Sequence, residues 1–139
     1  MSRIVQGWIV LLVLLLAAGC SSSPKKYESH RDTPADINAK LGLSYMQQGD
    51  YDVALEKLKK ALEQDPDSVA AQHYIAELYK QLNNHELAEQ HYKKALRLAP
   101  DDPAIQNNFG VFLCDRKRYD EAEKHFMLAA KISSYRRPD

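Results

Sequence analysis

The sequence lacks the features that mark most catalytic and metal-binding proteins. In 139 residues it has two cysteines and five glycines. It contains no HExxH, no CxxC and no glycine-rich phosphate loop. Zinc needs three or four converging ligands, so scattered histidines such as His73 and His85 do not predict a metal site or a catalytic centre. We therefore expect no enzyme activity, no cofactor and no small-molecule substrate, and we interpret His91 and His125 as solvated.

An excess of charge of either sign is also missing. Acidic and basic residues balance at 19 each, for a formal net charge of zero. Without a basic surface nothing favours nucleic acid as a partner, and no acidic tail favours a basic one. Charged residues make up 27% of the chain, and glycine and proline are few. This composition favours a folded helical domain over a disordered chain.

Residues 1–19 are predicted to be a signal peptide. Arg3 precedes a continuous apolar run from Ile9 to Ala18, and small residues follow it. A transmembrane anchor is the alternative interpretation. Even counted from Ile4, the run to Ala18 has only 15 residues, whereas a span needs roughly 20.

The end of this segment resembles a bacterial lipobox. In LAAGCSSS, Leu16 to Ser23, small residues precede Cys20, with Ala17 where the family prefers Leu. The resemblance implies that the Cys20 thiol carries a diacylglyceryl group and that its freed amine is acylated after cleavage. More than one acyl chain makes membrane attachment stable, and Ser21, in place of Asp, implies the outer membrane, facing the periplasm. An ordinary signal peptide with a chance cysteine is the alternative.

The polar segment that follows is predicted to be a flexible tether. Residues 20–33 are rich in Ser, Pro and charge and show no apolar period. A helix start comes next, with Thr33 as N-cap, Pro34 at the first helical position and Asp36 at the third. On the lipobox interpretation only Cys114 keeps a free thiol, so an intramolecular disulfide is excluded.

From Ala35 the chain repeats with a period of 34 residues, in the registers 35–68, 69–102 and 103–136. The recurring residues are Leu41-Gly42, Ile75-Ala76 and Phe109-Gly110, then Ala54, Ala88 and Ala122, then Leu58, Tyr92 and Phe126, then Ala61, Ala95 and Ala129. Two helices approach closely only where one presents Gly or Ala, and a large residue of the other fills the gap. The period and these residues resemble the tetratricopeptide repeat family. The resemblance implies an all-α solenoid of three helical hairpins over residues 34–136.

Prolines mark the repeat boundaries. Pro66 and Pro100 cannot continue the helices before them. Asp102 and Pro103 form a second N-cap and first-turn proline, which predicts where the third repeat begins. The departure is Ser134, which stands where a proline is expected.

In tetratricopeptide proteins the first helices line a concave groove, so the resemblance implies a partner-binding site there. Its expected residues are Ala39, Leu43 and Met46, then His73, Glu77 and Lys80, then Asn107, Val111 and Cys114. An apolar first end and a mixed middle suit an amphipathic or extended peptide. The alternative is that Leu43 and Met46 pack internally or cover the tether. Ala39 and Leu43 also stand where chaperone-tail readers clamp a carboxylate, so no such clamp is expected.

The third repeat differs from the others at one paired position. HFMLAA, residues 125–130, corresponds to KLKKAL and HYKKAL, but Met127 and Leu128 replace two lysines. Together with Ile132 they predict an exposed apolar edge that a further repeat, another copy or a partner would cover.

The lipobox, tether and repeats together resemble the type IV pilus biogenesis lipoproteins of the PilF/PilW pilotin family. The local likeness is strongest in NNFGVFLCDRKRYDEAEKHF, residues 107–126, through its Asn-Asn-Phe-Gly start, its FLC run and its Tyr-Asp-Glu-Ala turn. The resemblance implies a protein that binds secretin subunits and helps them localise and assemble. A tetratricopeptide scaffold lipoprotein of another envelope assembly machine is the alternative. Family members usually carry more repeats, so we interpret the chain as a truncated product, a fragment or a short variant.

Overall fold

A computed structural model describes residues 32–135, so the predicted signal peptide, Cys20 and most of the predicted tether lie outside the described residues. The described part forms six α-helices and no strand, which confirms the expected all-α fold. The helices are α1 (Pro34–Gln48), α2 (Tyr51–Gln64), α3 (Val69–Gln81), α4 (His85–Leu98), α5 (Pro103–Asp115) and α6 (Tyr119–Tyr135). Between residues 32 and 135, none of these helices has the length and apolar character that crossing a membrane requires.

The predicted helix starts are confirmed. Thr33 and Asp36 form a capping box, in which Thr33 Oγ1 accepts from the Asp36 amide at 3.1 Å and the Asp36 carboxylate accepts from the Thr33 amide at 2.9 Å. Asp102 caps α5 by accepting from the amides of Ala104 and Ile105 at 2.8 and 3.2 Å. Both caps satisfy amides that would otherwise lack a partner at the helix end.

Proline decides where the second helices of the first two hairpins end. Helices α2 and α4 end at Gln64 and Leu98, two residues before Pro66 and Pro100. Helix α6, with Ser134 at the corresponding position, continues to Tyr135. The longer last helix follows from the missing proline, because nothing there removes an amide or forces a turn.

Close approach within each hairpin rests on a small residue of the first helix. A Cβ built on Gly42 would lie 2.5 Å from Leu58 Cγ, and one built on Gly110 would lie 2.6 Å from Phe126 Cε1. In the second hairpin Ala76 is buried in one cluster with Tyr92. The pairing of a small residue with a large one, expected from the repeat, is therefore present in all three hairpins.

Successive hairpins meet at two joints that use equivalent residues. In the first joint Leu58 of α2 and Ile75 of α3 lie in one buried cluster. In the second joint the Tyr92 ring of α4 lies against Phe109 of α5, with ring centroids 5.4 Å apart. Each hairpin thus covers the large residue that the preceding second helix presents.

The first described helix lacks such cover. Ile37 and Leu41 of α1 are 49% and 42% exposed, whereas Ile75 and Phe109, the two equivalents of Leu41 in the later repeats, are 2% and 4% exposed. Leu41 therefore does not pack as its equivalents in the second and third repeats do. Ile75 and Phe109 each pack against the hairpin that precedes them, and α1 is the first helix of the described residues.

Candidate partner-binding groove

The apolar first end of the expected groove is mostly interior. Ala39 is fully buried in a cluster with Ala61 and Ala71, and Met46 is 7% exposed. Of the three expected residues only Leu43 is half-buried, where it packs against the same cluster as Met46. Helix α1 packs against α3 as well as α2, which covers these positions. Ala39 and Met46 thus offer a partner almost no surface, and the alternative of internal packing, which was stated for Leu43 and Met46, fits Met46.

A polar centre lies on α3. His73, Glu77 and Lys80 follow each other on successive turns, and all three are half-buried. Lys80 Nζ lies 2.9 Å from a carboxylate oxygen of Glu77, and the other oxygen accepts from the Tyr92 hydroxyl. Burial and the neighbouring Glu77 carboxylate raise the pKa of Tyr92. Tyr92 was missed as a site residue, although a buried tyrosine hydroxyl needs a partner.

His73 connects this centre to α5. Its Nε2 lies 3.0 Å from the side-chain nitrogen of Asn108. An amide nitrogen donates, so Nε2 accepts and the neutral ring carries its proton on Nδ1. Burial lowers the pKa of His73, partly opposed by the Glu77 carboxylate. Asn108 was also missed by the sequence reasoning, which singled out its neighbour Asn107.

The third-repeat residues are more open. Asn107 is exposed, Val111 is 38% exposed, and the free thiol of Cys114 is half-buried against the core that the second and third hairpins share. The accessible part of the predicted site therefore has a polar centre on α3, with Leu43 on α1 and Val111 on α5.

The histidines of the second helices are half-buried and hydrogen-bonded rather than simply solvated, which corrects the expectation for His91 and His125. Gln72 donates to the Pro66 carbonyl at 3.0 Å, and its Oε1 lies 2.7 Å from His91 Nδ1. The third repeat has the same arrangement, in which Gln106 contacts the Pro100 carbonyl at 2.7 Å and His125 Nδ1 at 2.6 Å. Because each amide oxygen must accept, each histidine donates through Nδ1. We call Gln72 and Gln106 the joint glutamines.

The joint glutamines bind the turn that precedes their own hairpin. Both are almost fully buried, at 2% and 5% exposed, and burial lowers the pKa of each bound histidine. In the first repeat Asn38 holds the equivalent position and donates to the Pro34 carbonyl and to Gln64. Between residues 32 and 135 no group of three or more His, Cys, Asp or Glu is placed to hold a metal ion.

A family model for the tetratricopeptide repeat matches residues 39–103 and 75–136. The chain belongs to the tetratricopeptide repeat family. In the structure this match corresponds to the helical hairpins, to the pairing of small with large residues, and to the repeat boundaries at proline.

Two of the most similar proteins act in type IV pilus formation. The type IV pilus assembly protein PilF of Pseudomonas aeruginosa is 35% identical over 80 residues, which are 55% of this chain and 32% of PilF. A solved PilF structure is 36% identical with a TM-score of 0.72, covering 76% of this chain and 48% of that one. The structure of PilW, a widely conserved type IV pilus biogenesis factor, is 32% identical with a TM-score of 0.68, covering 73% and 46%. The resemblance to pilus biogenesis proteins is confirmed, and the chain spans between a third and a half of these relatives' length.

A third relative shows the fold alone. The first tetratricopeptide domain of Spaghetti (RPAP3), bound to an HSP90 peptide, is 22% identical with a TM-score of 0.67, covering 73% of this chain and 80% of that one. Tetratricopeptide domains as a class bind protein partners, and they are typically scaffolds without catalytic activity.

Proposed function

We propose that this chain is a lipid-anchored binding module that helps secretin subunits localise and assemble into the outer-membrane pore of a type IV pilus. The observation that carries the proposal is the 36% identity and TM-score of 0.72 to PilF over three quarters of the chain. Cys20 would carry the lipid, placing the repeats at the periplasmic side of the outer membrane. The repeats would act by binding polypeptide, without a cofactor and without nucleic acid.

The groove residues support a polypeptide partner. Val111 offers exposed apolar surface, and Leu43 adds a half-buried contact on α1. Asn107 is exposed, and its amide provides both a donor and an acceptor for the backbone of an extended segment. Glu77 and Lys80 already pair with each other, so a partner need not supply a charge to neutralise them. We expect an apolar anchor in the partner rather than a charged one.

Capture of the secretin tests the groove through Val111→Glu. A charge at Val111 places a solvated carboxylate where we expect an apolar anchor, so the variant should retain much less secretin than the wild type. Leu98→Glu is a matched control, because Leu98 is 37% exposed against 38% for Val111 and lies at the end of α4 rather than on a first helix. The measurement is retention of detergent-extracted secretin by the immobilised full chain.

The outcomes separate the partner from the site. If the wild-type chain retains no secretin, the proposed function is wrong. If Val111→Glu and wild type retain it equally, the function stands and the groove assignment is wrong. A similar loss in Leu98→Glu would show that any surface charge weakens binding, which also contradicts the groove assignment.

A further inference from the structure

The second joint holds a cleft of about 360 Å³ between the second and third hairpins, which we call the joint cleft. Its apolar part is formed by Leu96 of α4, which is half-buried, and by Phe109 of α5, which is 4% exposed. None of the residues expected in the groove lines it. The volume lies in the range of protein pockets that hold small ligands, so the cleft can admit one large apolar side chain.

Most of the charged groups around the joint cleft already bind each other. Arg118 donates to both carboxylate oxygens of Glu121 at 2.7 Å, and it donates to one oxygen of Glu89 at 2.9 Å. The other oxygen of Glu89 lies 2.8 Å from Lys93 Nζ. Two carboxylates are thus matched by two cations, and these four groups add no net charge to the cleft.

Arg97 is the cation that remains in the lining of the joint cleft. It is exposed, and no ion pair within residues 32–135 involves its guanidinium group. A guanidinium group presents a rigid fork of donors that fits a carboxylate. The cleft therefore carries one unmatched positive charge next to its apolar part, because Arg97 follows Leu96 directly in the chain.

His125 of α6 adds a hydrogen-bond acceptor to the joint cleft. Its Nδ1 donates to Gln106 Oε1 at 2.6 Å, so Nε2 of the neutral ring can accept a hydrogen bond. Burial lowers the pKa of His125, which favours the neutral form. The lining thus offers apolar surface, a cation for a carboxylate and an acceptor for an N–H group. These needs are met together by a polypeptide rather than by a free phosphate.

The cationic lining is particular to the second repeat. Of the three described second helices, only α4 has cations at the positions of Lys93, Lys94 and Arg97. The equivalent positions hold Lys59, Lys60 and Glu63 in the first repeat, and Met127, Leu128 and Lys131 in the third. In the third repeat Met127 and Leu128 are 66% and 44% exposed, and Ile132 is half-buried. Because the first joint forms with Glu63 in place of Arg97, stacking of the hairpins does not require this arginine.

A second depression adjoins the joint cleft along α4. It has a volume of about 380 Å³ and shares Lys93 and Arg97 with the joint cleft, and Gln90 and Lys94 also line it. An extended chain advances roughly 3.3 Å per residue. A segment that places one side chain against Leu96 therefore reaches Arg97 with the next residue or the one after it.

We propose that the joint cleft is a second binding site, which takes an extended polypeptide segment with a large apolar residue next to a single acidic residue. The apolar side chain packs on Leu96 and Phe109, and the carboxylate pairs with Arg97. A run of several acidic residues fits less well, because Glu89 and Glu121 would repel the additional carboxylates. This occupant differs from the partner of the groove, for which we expect an apolar anchor without a charge.

Photo-crosslinking of a capped peptide to the detergent-solubilised full-length chain tests the site. The probe is acetyl-Ser-Gly-Bpa-Glu-Gly-Ser-amide, in which Bpa is p-benzoylphenylalanine, and the adducts are located by mass spectrometry. We expect adducts on Leu96, Phe109 or His125. Replacing the Glu of the probe by Gln should lower the yield by roughly fivefold, which is the upper range for an exposed ion pair.

Substitutions of Arg97 provide the second measurement. Arg97→Glu should lower the yield at least as much as the Gln probe does, and it should fold because Glu63 holds this position in the first repeat. Arg97→Lys keeps the charge and should retain most of the yield. Lys131→Glu is the matched control, since it makes the same change of charge at the equivalent position of α6, outside the cleft.

The results that would overturn the proposal are equally specific. Adducts spread over the surface or located mainly on groove residues would show that the peptide does not occupy the joint cleft. Equal yields with the Glu and Gln probes, or with wild type and Arg97→Glu, would show that Arg97 does not bind a carboxylate. An equal loss in Lys131→Glu would reduce the effect to the overall charge of the chain.

Discussion

Substituting Gly42 by alanine tests whether the small-large contact sets the separation of the first two helices. The new Cβ would lie 2.5 Å from Leu58 Cγ and 2.7 Å from Leu58 Cδ2. Cγ is the branch point of a fully buried side chain that packs against the second hairpin. Rotation about χ2 leaves Cγ in place, and rotation about χ1 would push the fully buried side chain into its neighbours, so the two helices must move apart.

Two opposing effects decide the size of the change. Alanine in place of glycine stabilises a helix interior by roughly 0.5–1 kcal/mol. Forcing an extra methyl group into a packed core costs about 1–3 kcal/mol. We therefore expect Gly42→Ala to lower the free energy of unfolding by ~1 kcal/mol, as measured by urea unfolding followed by helical circular dichroism.

Gly110→Ala is the matched control. Its Cβ would meet the edge of the Phe126 ring at 2.6 Å, but Phe126 is only half-buried and can turn aside. The helix-propensity gain should then offset the cost, leaving the free energy of unfolding nearly unchanged. In a Leu58→Ala background Gly42→Ala should become stabilising, because the atoms it meets are gone. The reasoning would be refuted if Gly42→Ala raised the free energy of unfolding of the wild-type chain as well as that of the Leu58→Ala chain.

Three further predictions concern the joints and the anchor. Gln72→Ala should cost about 1–3 kcal/mol in urea unfolding, because the Pro66 carbonyl and His91 lose a buried partner, whereas the exposed Gln81→Ala should change little. The free energy of unfolding should fall as the pH drops below 6.5, the ordinary pKa of histidine. Burial lowers the pKa values of His73, His91 and His125, so the unfolded chain binds more protons than the folded one in this range. A free energy of unfolding that stays constant as the pH crosses 6.5 would contradict this. Cys20→Ala should remain uncleaved or become soluble, and unchanged fractionation with the outer membrane would rule out lipidation as the anchor.

The sequence predicted the fold because its signals are local and repeated. A direct physical effect on a helix comes from each of these signals: the recurring small residues, the caps Thr33 and Asp102, and the prolines. Three copies of one pattern then remove ambiguity. Gly42 and Gly110 are small for the reason expected, since a side chain there would overlap the second helix of the same hairpin.

The candidate groove was less predictable because exposure depends on which hairpins flank a residue. Met46 and Val111 occupy the same kind of helix and both are apolar. Met46 is buried because α1 packs against α3, whereas Val111 on α5 stays 38% exposed. No periodicity in the sequence separates these two cases.

The polar contacts escaped prediction because they connect residues far apart in sequence. Gln72 and His91 are 19 residues apart, and His73 and Asn108 are 35 apart. His91 lies close to Glu89 and Lys93 in sequence and therefore resembles a solvated residue. Its actual partner is an amide on another helix, which becomes a neighbour only when the hairpins close.

The joint glutamines have a consequence for the curvature of the array. Each spans from a preceding turn to a histidine of its own hairpin, so the length of one side chain helps to set the rotation between successive hairpins. A small rotation repeated at every joint accumulates along a solenoid. Shortening both glutamines to asparagine would therefore change the width of the groove without altering any residue that lines it. We therefore expect these two substitutions to change the affinity for a partner, although the partner does not contact either glutamine.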